Sequence, residues 1–127
     1  MENFKEKLKT KREEIFKYLD ECNEKSAFTI NGREYKISKL SHQFRTEVLS
    51  VYTQIEKNLE DGNFGFITEP TFKNIIKKID NKITFEDELI SKRSRHWEEF
   101  PEDYLDYISM SMKVICYPFF KTKLHTN

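Results

Sequence analysis

The dipeptide Asn31-Gly32, within the stretch AFTINGREYKI from Ala27 to Ile37, constrains this chain more than any other feature. A two-residue type I′ turn needs a positive φ at both central residues, and asparagine and glycine adopt it at the least steric cost. The register of the predicted hairpin follows. Ile30 pairs with Arg33, Thr29 with Glu34, Phe28 with Tyr35, and Ala27 with Lys36. Side chains alternate along a strand, so Phe28, Ile30, Tyr35 and Ile37 share one face with the aliphatic stem of Arg33. Thr29, Glu34 and Lys36 point the other way. A lone hairpin is marginal in water, so the rest of the chain must cover its apolar face.

That cover is predicted to be helical, because glycine and proline number only three each and apolar residues recur at helical spacing. Residues 2–25 read as a charged amphipathic helix with Phe4, Leu8, Ile15 and Leu19 near one stripe, joined by Phe16 and Cys22. Lys11 and Arg12 interrupt the stripe, so the first turns are expected to attach loosely or to lie on a partner. Ser38 or Ser41 caps a second helix that runs to about Glu60, with Leu40, Phe44, Val48, Val51, Tyr52, Ile55 and Leu59 in period. Gly62 suits the left-handed position that ends it.

The loop Asn63 to Glu69 is unusually apolar, and Phe64, Phe66 and Ile67 either fold back on the core or form a binding lip. Thr68 then caps a helix with Pro70 in its first turn and Phe72, Ile75, Ile76 and Ile79 on its buried side. Thr84-Phe85-Glu86-Asp87 resembles a capping box and predicts a helix to around Ser94 that buries Phe85, Leu89 and Ile90. Phe100-Pro101-Glu102-Asp103 opens the last helix, its carboxylates placed at the positive dipole end. Tyr104, Leu105, Ile108, Met112 and Ile115 form its core stripe. Pro118 is expected to end or kink it, leaving an apolar tail of Phe119, Phe120 and Leu124. The expectation is a single α+β domain over residues 1–127, predominantly helical, with about five helices and one β-hairpin at residues 27–37.

Charge narrows the function classes. Twenty-two basic residues balance twenty-two acidic ones, so no global field collects nucleic acid or an anionic membrane. The first residues, MENFKEKLKTKREE, do not read as a signal peptide, and no apolar run approaches the ~20 residues that span a bilayer. Cys22 and Cys116 lie far apart and are expected as buried thiols in a reducing compartment. A soluble, cytoplasmic protein is the expectation. His42, His96 and His125 all fall in polar stretches expected to be exposed, and no motif joins them to a nucleophile. Metal-ligand spacing and phosphate-cradling glycine loops are likewise missing, so neither catalysis nor a cofactor or metal is expected.

The strongest local charge feature is SKRSRHW. Lys92, Arg93 and Arg95 beside Trp97 could contact phosphates and stack on a base. Glu86 to Glu88 before it, and Glu98, Glu99, Glu102 and Asp103 after it, favour an internally paired segment with Trp97 as a core anchor.

The hairpin FTINGREYKI followed directly by an amphipathic helix resembles the small tail assembly chaperones of long-tailed bacteriophages, as do KIDNKITFEDELI and FPEDYLDYI with the aromatic end. The similarity spans about residues 27–120 and leaves the first helix outside. It implies a non-catalytic morphogenesis factor in the host cytoplasm that binds the helical tape-measure protein and helps recruit tail-tube subunits. Self-association is left open. Apolar surface for a partner helix is then expected at Phe4 and Leu8, at Phe64, Phe66 and Ile67, and at Phe119, Phe120 and Leu124. The competing expectation is a nucleic-acid-associated regulator acting through Lys92, Arg93, Arg95 and Trp97.

Overall fold

A computed structural model describes the backbone of residues 4–125 and the side chains of residues 13–121. Helix α1 (Phe4–Lys25) leads into strands β1 (Ala27–Ile30) and β2 (Arg33–Ile37), then helices α2 (His42–Asp61) and α3 (Pro70–Asp80). Strands β3 (Ile83–Phe85) and β4 (Glu88–Leu89), the short α4 (His96–Glu99) and the long α5 (Tyr104–His125) complete the chain. The fold is α+β and predominantly helical, with five α-helices and a four-stranded antiparallel sheet in the order β1-β2-β3-β4 among the described residues.

The first hairpin has the register its turn predicts, Ile30 opposite Arg33 through Ala27 opposite Lys36. Asn31 and Gly32 both take positive φ, 51° and 78°. Phe28, Ile30, Tyr35 and Ile37 are all buried. The second hairpin is a correction. Thr84 to Ser94 does not form a capped helix. Ile83 and Thr84 pair with Ile37 and Lys36, extending the sheet, and Glu86 and Asp87 turn the chain back at φ 51° and 65°. The open edge of β2 supplied a ladder that the local capping signal could not match, and a period of two at Ile83 and Phe85 fits it. Phe85 and Ile90 are buried as expected, but on a strand and a 3₁₀ turn.

Helix α2 starts at Ser41, whose side chain accepts a hydrogen bond from the Phe44 N–H at 3.1 Å. It ends at Gly62, φ 74°, where the N–H groups of Gly62 and Asn63 return to the carbonyls of Leu59 and Asn58. Removing the cap with Ser41→Ala should cost about 1 kcal/mol, read as a lower urea midpoint at unchanged slope. Helix α3 is capped differently from expectation. Glu69 holds the cap position without a side-chain bond, and the Thr68 hydroxyl donates to Gly65 O in a 3₁₀ turn instead.

Helix α5 is the central element. It packs against α1, α2 and β1, and Tyr107, Ile108, Met112, Ile115, Cys116 and Tyr117 are buried along it. A helix covered on several sides buries residues around most of its circumference, so a one-stripe reading of it fails. Leu105 is exposed, whereas Tyr107 is fully buried. Pro118 does not end the helix. The Arg45 guanidinium donates to the Ile115 carbonyl, one turn before the proline, at 2.7 Å, and supports the backbone there.

The outer edge of β1 is guarded. Its register turns the N–H and C=O of Thr29 away from β2, and the Tyr18 hydroxyl of α1 bonds both at 3.3 Å.

Candidate functional site

The densest arrangement of ionisable groups lies beneath the first hairpin. The turn places Asn31, Arg33 and Tyr35 over the 3₁₀ turn Pro101–Asp103 that opens α5. Asp103 is 0% exposed and accepts from Asn31 Nδ2 at 2.8 Å, Arg33 Nε at 2.8 Å, Arg33 Nη2 at 3.1 Å and Tyr35 Oη at 2.7 Å. Arg33 also pairs with the exposed Glu102 and lies 4.2 Å over the Phe100 ring. Burial alone would raise the Asp103 carboxyl, but the bonds from Arg33, Asn31 and Tyr35 outweigh it and hold it below the usual carboxylate range.

His96 extends the cluster. It is 1% exposed, which corrects the expectation of a surface histidine. Its Nδ1 accepts from Arg93 Nε at 3.1 Å, and its Nε2 lies 2.9 Å from the Tyr35 hydroxyl. Because that hydroxyl gives its proton to Asp103, His96 Nε2 must be the donor to it. The order of donors is then fixed: Arg93 to His96, His96 to Tyr35, Tyr35 to Asp103. Burial, reinforced by Arg93, lowers the affinity of His96 for a second proton. Burial also raises the Tyr35 hydroxyl. Phe85, Trp97 and Phe100 close around the ring. These polar groups are bonded to one another inside the protein, so the arrangement latches the hairpin to α5.

The sequence carried one overlooked signal for this latch. An arginine on the inner face of a hairpin must meet a buried acceptor, and Asp103 meets it. Asp103 therefore does more than stabilise the start of a helix.

The remaining reactive groups are also enclosed. Cys22 and Cys116 are buried free thiols, and burial pushes both up, Cys116 to about 12, which keeps them protonated. Among the described residues no group of His, Cys, Asp and Glu could hold a metal ion, and no helix is long and apolar enough to cross a membrane.

The expected binding residues divide. Phe4, Leu8 and Leu124 have side chains outside the described residues. Phe66 is 5% exposed and packs edge-on against Phe72 at 5.1 Å, so the loop does not present it as a lip. Phe64 and Ile67 are half-buried against the core. Phe119 and Phe120 are half-buried too, near His42 and Tyr52 respectively. Segment 92–97 does not form one basic-aromatic surface. Arg93 is held by His96, Glu88 and the Phe85 ring, and Trp97 packs on Tyr104 and Tyr107. Lys92 and Arg95 stay exposed, with Arg95 4.0 Å from Glu98.

Among the described residues the large hydrophobic side chains left exposed are Ile15 and Tyr18 on α1 and Leu105 on α5. Leu19 and Cys22 enter the core, while Ile15, one turn earlier, is 52% exposed and Tyr18 is 39% exposed. Asp20 bonds Tyr117 at 3.1 Å and pairs with Lys121 at 3.5 Å, whereas Asn23 and Ser26 line a small cavity with Val114 and Ile115. The two helices therefore run antiparallel, and the last turns of α5 come opposite the turn of α1 that holds Ile15. No family model, curated protein or solved structure matches the chain.

Proposed function

We propose that this chain is a non-catalytic protein-binding factor that lays the outward face of α1 against a helical partner. The observation that carries the reading is the division of one stripe on α1. Its C-terminal members, Leu19 and Cys22, are core, and Ile15, one turn outward, is more than half exposed. An apolar stripe continued past the body of a protein is the form a helix-to-helix contact takes. Phe4 and Leu8 continue it by spacing. The resemblance to phage tail assembly chaperones gives the partner a class: a long helical protein such as the tape-measure protein, held soluble while tail-tube subunits are recruited.

Affinity capture of the tagged chain from cells that naturally express it, with a nuclease-treated control, tests the reading. A nuclease-resistant partner rich in long helices, lost with Ile15→Asp, is the expected result. Binding that disappears on nuclease treatment overturns it and redirects attention to Lys92 and Arg95. Since Ile15 is more than half exposed, the substitution should leave stability within ~0.5 kcal/mol, so lost capture is not lost folding.

A further inference from the structure

Asn31-Gly32 is the only Asn-Gly pair in the chain, and both residues are exposed at the tip of the first hairpin. An asparagine before glycine is the least durable of amides, because no Cβ keeps the glycine nitrogen from the neighbouring carboxamide carbon. The deprotonated nitrogen of Gly32 attacks Asn31 Cγ, a cyclic imide closes, and the Cγ–Nδ2 bond breaks as ammonia leaves. Water then opens the imide at either carbonyl and leaves aspartate or isoaspartate. The fold opposes the first of these steps. Asn31 Nδ2 donates to Asp103 Oδ1 at 2.8 Å, which pins the carboxamide. Ring closure builds negative charge on Asn31 Oδ1, and the Asp103 carboxylate beside the same amide repels it. Closure must also rotate the Asn31 backbone out of a turn that the paired strands hold at φ 51° and 78°.

The product does not fit the latch. Asp103 is fully enclosed and takes a donor from Asn31, whereas a carboxylate at that position has none to give. It would also join Glu102 and Asp103 in competing for the single Arg33 guanidinium. Isoaspartate adds a methylene to the main chain of the turn as well, which breaks the register of Ile30 with Arg33. We propose that Asn31 is a one-way modification site guarded by the latch: while Asp103 holds it the residue stays an amide, and once the latch opens it deamidates and bars reclosure. The turn thereby registers how long a molecule has spent with its latch open. Water is the only co-reactant, and the chemistry is independent of any partner on α1.

Peptide mass mapping after incubation of the full chain at mildly alkaline pH tests it, since conversion makes the Asn31 peptide about 1 Da heavier. Asn31 should convert at least about tenfold faster in urea than in the folded parent. Asp103→Ala, checked as folded by circular dichroism, should also raise the rate at least about tenfold. Ile55→Ala, a core truncation on α2 away from the turn, should stay within about twofold of the parent, because it leaves the latch closed. Equal conversion in the folded parent and in urea overturns the proposal, as does an Asp103→Ala rate no higher than the parent's or matched by Ile55→Ala. Two further variants read the bar to reclosure without waiting for the reaction. Asn31→Asp and Asn31→Gly both suit a positive φ and both lose the donor, but only the first adds charge, so its urea midpoint should be the lower. Equal or reversed midpoints overturn the proposal.

Discussion

Asp103→Ala is expected to lower the stability of this protein by about 3–5 kcal/mol, the cost of removing the buried partner of the partly exposed Arg33 together with the acceptor of the buried Tyr35 hydroxyl. The carboxylate is fully enclosed and is the common acceptor for Asn31, Arg33 and Tyr35. Its loss leaves a guanidinium beside the Phe100 ring without its buried counter-charge, and it leaves the Tyr35 hydroxyl without an acceptor. The order of donors back through His96 to Arg93 then loses its terminus. A urea titration followed by fluorescence of Trp97, which packs against Tyr35, reads the change directly. Glu102→Gln is the contrast, because Glu102 is the exposed member of the same cluster and should cost less than about 1 kcal/mol. Equal losses from the two variants would show that Asp103 holds nothing that Glu102 does not.

The same latch has a definite pH sign. Asp103 is held below its unfolded value, so its contribution is present above about pH 3.9 and is lost as pH falls through the folded value. His96 is a base whose folded value is lowered. The unfolded chain takes up its proton first, and stability falls as pH drops below about 6.5 toward the folded value. A second proton on His96 would sit on Nδ1, where Arg93 already donates, so acid opens the latch from that side.

Asp80→Asn is expected to stabilise the protein at pH 7, by about 1–3 kcal/mol. Burial pushes the Asp80 carboxyl up to about 6, only partly opposed by the hydrogen bond from the Tyr107 hydroxyl at 2.6 Å. A raised carboxylate works opposite to Asp103. The folded chain keeps a proton that the unfolded chain releases above about pH 3.9, so the ionised group costs stability above about pH 6. Asparagine keeps an acceptor for Tyr107 without the charge. The gain should therefore be full near pH 7, shrink as pH falls through about 6, and vanish near pH 4. Paired urea titrations of variant and parent across that range check it. A destabilised variant at pH 7 would mean that Asp80 has a cationic partner, which its surroundings do not show.

Much of the local structure could be read in advance because local chemistry decided it. Asn31-Gly32 allowed one tight turn, and that turn allowed one register. Ser41 and Gly62 bounded α2, and Phe72, Ile75, Ile76 and Ile79 gave α3 an unambiguous buried side. The failures share one cause. Thr84 to Asp87 carried a plausible helix start, yet the unpaired edge of β2 captured Ile83 and Thr84. Leu105 and Tyr107 exchanged expected places because α5 is packed from several directions, which no periodicity within α5 encodes. His96 and Asp103 sit in charged stretches, and polarity of neighbours says little about burial when the partner lies some sixty to seventy residues away. The site was legible only in part. The apolar stripe on α1 was visible with its interruption at Lys11 and Arg12, but only the packed fold separates Leu19 and Cys22, which are core, from Ile15, which is not.

The sequence by itself determined the turn, the register of the first hairpin, the Gly62 end of α2 and the helical α+β class, because each depends on backbone preference and spacing within a few residues. The tertiary structure alone decided the second hairpin, the Asp103 latch and which part of α1 faces outward. Those outcomes depend on which distant groups become neighbours, and hydrogen bonds and burial acquire their energies only once water has been removed from between them.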